Sequence, residues 1–224
     1  MVKKQKGKSP LRNFKKTATR GKFIVIDGCD GSGKTTVLEG LRNKFKQENT
    51  LITKEPGGTV FADKIRELIL SDDAKNTDSL TMFNLFWASR SEHMNNKVIP
   101  ALQKRIDVIT DRFDSATFAY QIYGEKRKKL EDLFWQTRKL ALGKFEPDLY
   151  IFLDLPPKET MRRIKRRGGK QNHFDKRAEE YHKRVRSGIK IFAKKVPSVI
   201  IDATKPREGV LEDVLKVLNN KFGI

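Results

Sequence analysis

Five short apolar runs punctuate the chain: Phe23–Ile26, Leu51–Lys54, Val108–Thr110, Leu149–Asp154 and Val199–Asp202. None is longer than a strand of ordinary length, and several are apolar at consecutive positions, as strands buried on both faces are. Between the runs, apolar residues return every three or four positions, the spacing of a helix with one buried face. This pattern predicts helices from Thr36 to about Gln47, over 62–70, from Ser79 to about Arg105, over 115–121, 130–142 and 161–166, from Asp175 to Lys195, and over 207–221. Pro56-Gly57-Gly58 can continue neither element, while Pro156 and Pro157 end the fourth strand and suit the start of a helix. Strands alternating with helices imply an α/β fold with a five-stranded parallel sheet and helices on both faces. No internal repeat is visible.

Length and composition narrow this picture. With 224 residues and 37% hydrophobic content the chain can bury one sizeable core, so residues 21–224 are expected to form one domain. Residues 1–20 carry many Lys and Arg, few apolar residues and no acid, which fits a solvated, disordered extension; a transit peptide is the competing reading. The net charge of +20, from 48 basic and 28 acidic residues, favours anionic ligands such as nucleotides. It also allows weak, non-specific contact of the tail with nucleic acid, and does not choose between the two. The single Cys29 cannot form an internal disulfide. Standing near a helix start, it could have a lowered thiol pKa, although a small residue there need only fit. No apolar run approaches the ~20 residues of a membrane span, so a soluble, cytoplasmic protein is expected.

The chemistry centres on Gly28-Cys29-Asp30-Gly31-Ser32-Gly33-Lys34-Thr35, a full Walker A pattern between a predicted strand and a predicted helix. Its glycines let successive N–H groups turn toward phosphate oxygens, and the helix start adds a favourable field. Lys34 is expected to reach the β/γ-phosphates of ATP, and Thr35 to ligate Mg²⁺. Asp111-Arg112 ends the third strand, on the carboxyl edge where open α/β sheets bind ligands. Asp111 can share the metal with Thr35 or merely cap the strand; Arg112 can clamp an anionic acceptor or form a surface ion pair. The segment Arg163, Lys165, Arg166, Arg167, Gly168, Gly169 reads either as a lid that brings an arginine to the transferred phosphoryl group or as a solvated, RNA-binding patch. These residues specify a P-loop kinase and leave the acceptor open; a nucleic-acid-binding P-loop ATPase is the reading from a different class.

Several segments together resemble bacterial-type thymidylate kinases, a nucleoside-monophosphate kinase branch of the P-loop fold. They are F-I-V-I-D-G-C-D-G-S-G-K-T-T at 23–36, K-E-P-G-G-T at 54–59, L-F-W-A-S-R at 85–90, D-R-F-D-S-A-T-F-A-Y-Q at 111–121, P-D-L-Y-I-F-L-D-L-P-P at 147–157, R-R-G at 166–168 and I-D-A at 201–203. The resemblance runs from about Lys22 to the C-terminus. It implies transfer of the γ-phosphoryl of ATP to dTMP with Mg²⁺, a basic lid and a homodimer, through the helix holding Phe83 and Trp87. Another nucleotide or deoxynucleoside kinase of this fold is the near alternative. By position, Gly28 to Thr36 would hold the triphosphate, with Asp30 also holding the deoxyribose 3′-hydroxyl. Phe86 would stack on thymine, Arg90 would bond a thymine carbonyl, Arg112 would bind the acceptor phosphate, and Thr117 and Tyr120 would line base and sugar. Arg163 would lie near the adenine. The loop has no basic residue before Lys34, so the resemblance assigns the catalytic arginine to the lid, at Arg167, beside Lys34 and Arg112. Lys54 departs from the family pattern, where an Arg commonly precedes Glu-Pro-Gly-Gly, and Lys cannot repeat a bidentate contact.

Overall fold

The computed structural model describes residues 20–45, 49–167 and 177–224, with Arg167 described by its backbone alone. The basic tail before Arg20, the expected first-helix end at Gln47 and the lid turn Gly168–Lys170 lie outside these residues. Five strands, β1 (Phe23–Gly28), β2 (Thr50–Lys54), β3 (Asp107–Asp111), β4 (Leu149–Asp154) and β5 (Ser198–Asp202), form one sheet. Their order is β2-β3-β1-β4-β5 and every pairing is parallel.

Alternation within the buried strands divides the core in two. Phe23 and Val25 of β1 and Tyr150 and Phe152 of β4 face an aromatic layer with Phe113, Phe118, Phe134 and Phe192. Ile24, Ile26, Leu149, Ile151 and Leu153 face the opposite layer, against Val37, Leu38 and Leu41 of α1 (Lys34–Lys44) and Val210, Val214 and Leu218 of α9 (Arg207–Phe222). Both strand faces are thus occupied, as their uninterrupted hydrophobicity requires.

The remaining helices are α2 (Val60–Leu70), α3 (Ser79–His93), α4 (Ile99–Gln103), α5 (Asp114–Thr117), α6 (Glu131–Leu142), α7 (Pro157–Arg167) and α8 (Glu179–Ala193). The long helix predicted from Ser79 to Arg105 is divided by a π-helical turn at Met94–Val98. Pro100 lacks an N–H and its ring crowds the carbonyl four residues back, so a wider turn ahead of it accommodates the chain. The helix predicted over 115–121 starts as α5 and widens into a second π-helical segment, Phe118–Gly124. Glycine at 188 lets α8 lie on that segment, since a Cβ there would stand 2.9 Å from Ala119 Cα. Phe83 and Trp87 of α3 are buried in the aromatic layer, while Leu80 of the same helix is exposed. Among the described residues, no helix is long and apolar enough to cross a membrane.

Candidate active site

β1 is the central strand: chain order reverses around it, with β3 on one side and β4 on the other. The carboxyl edge beside such a reversal opens into a crevice, and here it holds a cavity of about 890 Å³. One end is walled by Asp30 to Val37, Arg163, Arg166 and the β5–α9 turn with Lys205 and Arg207. The other is walled by Lys54, Arg66, Phe86, Arg90, Arg112, Tyr120 and Gln121.

The loop after β1 turns through Gly28, Gly31 and Gly33, with φ of 155°, 74° and 93°. A side chain at Gly31 would also be crowded, its Cβ standing 3.1 Å from Arg163 Cβ. Gly33 caps α1 with no side-chain hydrogen bond, which leaves the first N–H groups of the helix open to an anion. Lys34 curls back, its Nζ donating to the carbonyls of Gly28 and Cys29 at 3.0 Å each. Burial, with the nearby Arg112 cation, lowers the Lys34 pKa. Thr35 is exposed and Thr36 half-buried at the cavity wall. Cys29 is buried, and burial pushes its thiol up to about 12. Burial thus favours the residue that merely fits over a reactive, low-pKa thiol, desolvation outweighing the Lys34 charge.

Arg112 takes a left-handed backbone conformation, φ 63°, uncommon for a residue with a Cβ. It is held there by its N–H on the Ile26 carbonyl at 2.9 Å and by the Thr110 hydroxyl on its own carbonyl at 2.9 Å. From this position Nη1 donates to Asp27 Oδ1 at 3.0 Å and to the Gly28 carbonyl at 2.9 Å, and Nη2 donates to Asp30 Oδ1 at 2.5 Å. The Tyr120 hydroxyl donates to the other Asp30 oxygen at 3.0 Å. Burial opposes ionisation of Asp30, yet Arg112 and Lys34 hold its carboxyl below the ordinary value. Burial wins at Asp27, whose carboxyl is pushed up although Arg112 and Lys34 face it and Ser115 bonds it.

Asp111 presents a buried Oδ1 with no hydrogen-bond partner. Its backbone carbonyl accepts from the Glu55 N–H at 2.8 Å, tying β3 to the Glu55-Pro56-Gly57-Gly58 turn. Beyond that turn Arg66 of α2 reaches back, Nη1 donating to the Pro56 carbonyl at 2.8 Å, and its pKa is lowered by burial. Arg90 is 2% exposed, stacked over Trp87 at 4.6 Å and Phe113 at 5.3 Å. Its Nε donates to Glu55 Oε2 at 2.8 Å and its Nη2 to Thr117 Oγ1 at 3.1 Å, while Nη1 is buried with no partner. Gln121 Oε1 is likewise buried and unpartnered.

Comparison with known proteins decides the family. A thymidylate kinase family model matches residues 26–214. The chain belongs to the thymidylate kinase family. A thymidylate kinase of Mycoplasma capricolum subsp. capricolum is 37% identical over 205 residues, covering 89% of this chain and 95% of the relative. Another, from Onion yellows phytoplasma, is 37% identical over 207 residues, covering 90% and 99%. A crystal structure of thymidylate kinase from Ehrlichia chaffeensis superposes with TM-score 0.70 at 30% identity, covering 89% of this chain and 98% of that one.

Most residues singled out in the sequence meet at the thymidylate kinase cavity: Asp30, Gly31, Ser32, Gly33, Lys34, Thr35, Thr36, Phe86, Arg90, Asp111, Arg112, Tyr120 and Arg163. Arg163 lies against the phosphate loop, Nη1 donating to the Gly31 carbonyl at 3.3 Å and Nε to Glu159 at 2.9 Å. Thr117 is fully buried and meets the site through Arg90. The side chain of Arg167 lies outside the described residues. Sequence reasoning missed Asp27, Glu55, Arg66, His93, Ser115 and Gln121. Asp27 and Glu55 stand inside quoted motifs and carried a signal; Arg66 and His93 look like ordinary helix residues until α2 and α3 are packed.

Proposed function

We propose that this chain transfers the γ-phosphoryl group of ATP to dTMP, giving dTDP and ADP. The reading is carried by one cavity with a phosphate loop at one end and, at the other, Phe86 with the unpartnered donor Arg90 Nη1 and the unpartnered acceptor Gln121 Oε1. Thymine offers a carbonyl acceptor beside an N3–H donor, the complement of that pair. Cytosine offers an amino donor beside a bare ring nitrogen, so both contacts are mismatched and two buried polar groups stay unpaired.

In this reading the N–H groups from Gly28 to Thr36 cradle the triphosphate, and Lys34 exchanges its loop carbonyls for the β/γ-phosphates. Asp30 accepts from the deoxyribose 3′-hydroxyl; Tyr120 and Arg112 orient it. The acceptor phosphate is met by Arg112, Lys54 and Arg66. Its attacking oxygen is already anionic, so no general base is needed, and positioning with charge neutralisation does the work. Arg163 flanks the donor nucleotide, and Arg167 supplies the lid charge to the transferred group. The exposed Thr35 hydroxyl and the orphaned Asp111 Oδ1 are hard oxygen donors that suit Mg²⁺. Bound there, Mg²⁺ neutralises charge on the phosphates.

A homodimer is proposed through α2, whose Val60, Phe61 and Leu68 are 81%, 60% and 60% exposed. Both substrates are cytoplasmic metabolites, and the protein is proposed to work there; nucleic-acid contact by the tail is a weak side property. Incubation with ATP, Mg²⁺ and a panel of dTMP, dCMP, CMP, UMP, AMP and thymidine tests the function. Preferred turnover of dTMP is expected, and equal or better turnover of CMP, UMP or AMP overturns it.

A further inference from the structure

Behind the cavity wall runs a chain of buried polar groups that touch no part of the cavity except Arg90 and Glu55. The Thr53 hydroxyl meets His93 Nε2 at 2.8 Å, His93 Nδ1 meets Glu55 Oε1 at 3.0 Å, and Arg90 Nε meets Glu55 Oε2 at 2.8 Å. Thr53, His93, Glu55 and Arg90 are 5%, 0%, 4% and 2% exposed. A carboxylate only accepts, so the proton on Nδ1 points at Glu55, and the Thr53 hydroxyl is free to donate to Nε2. The carboxylate thereby selects the Nδ1–H tautomer, and the hydroxyl satisfies the other ring nitrogen.

We propose that Thr53 and His93 are positioning residues that keep the Arg90 Nη1 donor available to the substrate base, and so set both affinity and preference for a pyrimidine with a 4-carbonyl group. The inference rests on the dTMP reading of the cavity. Its physical basis is competition for donors. A buried carboxylate seeks a donor for each oxygen, and Nη1 of the guanidinium that Glu55 already bonds is buried and unsatisfied. With His93 satisfying Oε1, Glu55 engages Arg90 by Nε alone, Thr117 takes Nη2, and Nη1 is left over. Without the imidazole, Glu55 can swing end-on to Arg90 and take Nη1 itself, a fork geometry that guanidinium and carboxylate favour. The Arg90 charge would remain while its base-reading function was lost.

The surroundings are built around the ring. Gly58 has φ 99°, and a Cβ there would stand 2.7 Å from His93 Cδ2 and Nε2 and 2.9 Å from Thr53 Oγ1. Gly57 N–H donates to Ser89 Oγ at 3.0 Å and Lys97 Nζ to the Gly58 carbonyl at 2.6 Å, bolting the turn to α3 and the π-helical turn that follows it. The same turn directly follows Lys54, the last residue of β2, and is bonded by Arg66, so base reading and acceptor-phosphate binding share one support.

The full-length enzyme and its His93→Leu, His93→Asn and Thr53→Val variants are compared by steady-state kinetics and by direct titration with dTMP. Leu fills the space without a ring nitrogen; Asn can set an amide N–H where Nδ1 stands. His93→Leu is expected to raise KM and Kd for dTMP about tenfold or more, the effect of losing one buried hydrogen bond from a charged donor to a neutral carbonyl. ATP KM and kcat should stay within about threefold, and the dTMP/dCMP ratio of kcat/KM should fall. His93→Asn should restore most of the affinity, and Thr53→Val should show a smaller loss of the same kind. A folded His93→Leu enzyme with dTMP KM within about twofold of wild type overturns the proposal. So does an ATP KM that rises in step, which marks a purely structural residue. If the Leu variant does not fold, wild-type dTMP KM and selectivity in Thr53→Val overturn it. A wild-type enzyme inactive on dTMP defeats the functional reading itself, whereas an active wild type with unaffected variants defeats only the relay.

Discussion

Replacing Arg112 by Lys isolates what the guanidinium fork contributes. The charge is retained, and because both residues carry a Cβ the strain of φ 63° is the same in each. What disappears is simultaneous reach. Arg112 bonds Asp27 at 3.0 Å, the Gly28 carbonyl at 2.9 Å and Asp30 at 2.5 Å, and lies 5.2 Å from the Tyr120 ring centre. A single ammonium can stay near one carboxylate and must release the other. Losing one or two charge-assisted hydrogen bonds, at about 1.5–3 kcal/mol each, gives about 3 kcal/mol, since the site is partly solvated. At about 1.4 kcal/mol per tenfold change this is about 10²-fold in kcat/KM for dTMP. Measuring ADP release with dTMP varied at saturating ATP, then the reverse, separates the two substrates. ATP KM should move by less than about threefold. A dTMP kcat/KM within about threefold of wild type, or equal losses along both substrates, would refute the placement of Arg112 at the acceptor.

Arg167→Ala should lower kcat by roughly 10²-fold with folding intact, toward the lower side of what arginine fingers supply; an unchanged kcat in single-turnover assays transfers the role to Arg166 or Arg163. Cys29, its thiol pushed up to about 12 by burial, should resist iodoacetamide at pH 8 in the folded protein and react on unfolding, as mass spectrometry would record. Rapid labelling of the native protein contradicts this. Burial works against Asp154 ionisation, yet Arg186 and Lys190 hold its carboxyl below the ordinary 3.8. Its contribution is therefore fully present above about pH 4 and lost as pH falls through the lower folded-state value. Urea midpoints of wild type and Asp154→Asn should differ by a constant amount from pH 5 to 7 and draw together in more acid solution; a gap as wide at pH 2.5 as at pH 6 disproves the linkage. Phe61→Glu should shift sedimentation from dimer to monomer, and an unaltered profile rules out α2 as the pairing surface.

The strands, their parallel pairing and the phosphate loop were all legible along the chain, because each is specified by local chemistry. Consecutive apolar residues demand burial on both faces, and glycines at set spacing permit the turn that a phosphate needs. Helix ends near Pro100 and Phe118 were not legible, since π-helical turns answer to packing rather than to propensity. Phe83 and Trp87 illustrate the same limit: an aromatic pair at helical spacing fits a partner surface or a core equally well until the helix is docked. Within the site, the phosphate loop and the end of β3 marked Lys34 and Arg112 as cations for anions, and the family resemblance marked Arg90 as a donor to a carbonyl. Only the tertiary structure decided which of their donors are spent inside the protein. Lys34 is folded onto its own loop, Arg112 is divided between Asp27 and Asp30, and Arg90 spends Nε on Glu55 and Nη2 on Thr117 while Nη1 stays unpartnered. Donor and acceptor counts are properties of residues and can be read from a sequence. Which of them remain unpaired depends on distances between segments far apart in the chain, and folding alone sets those distances.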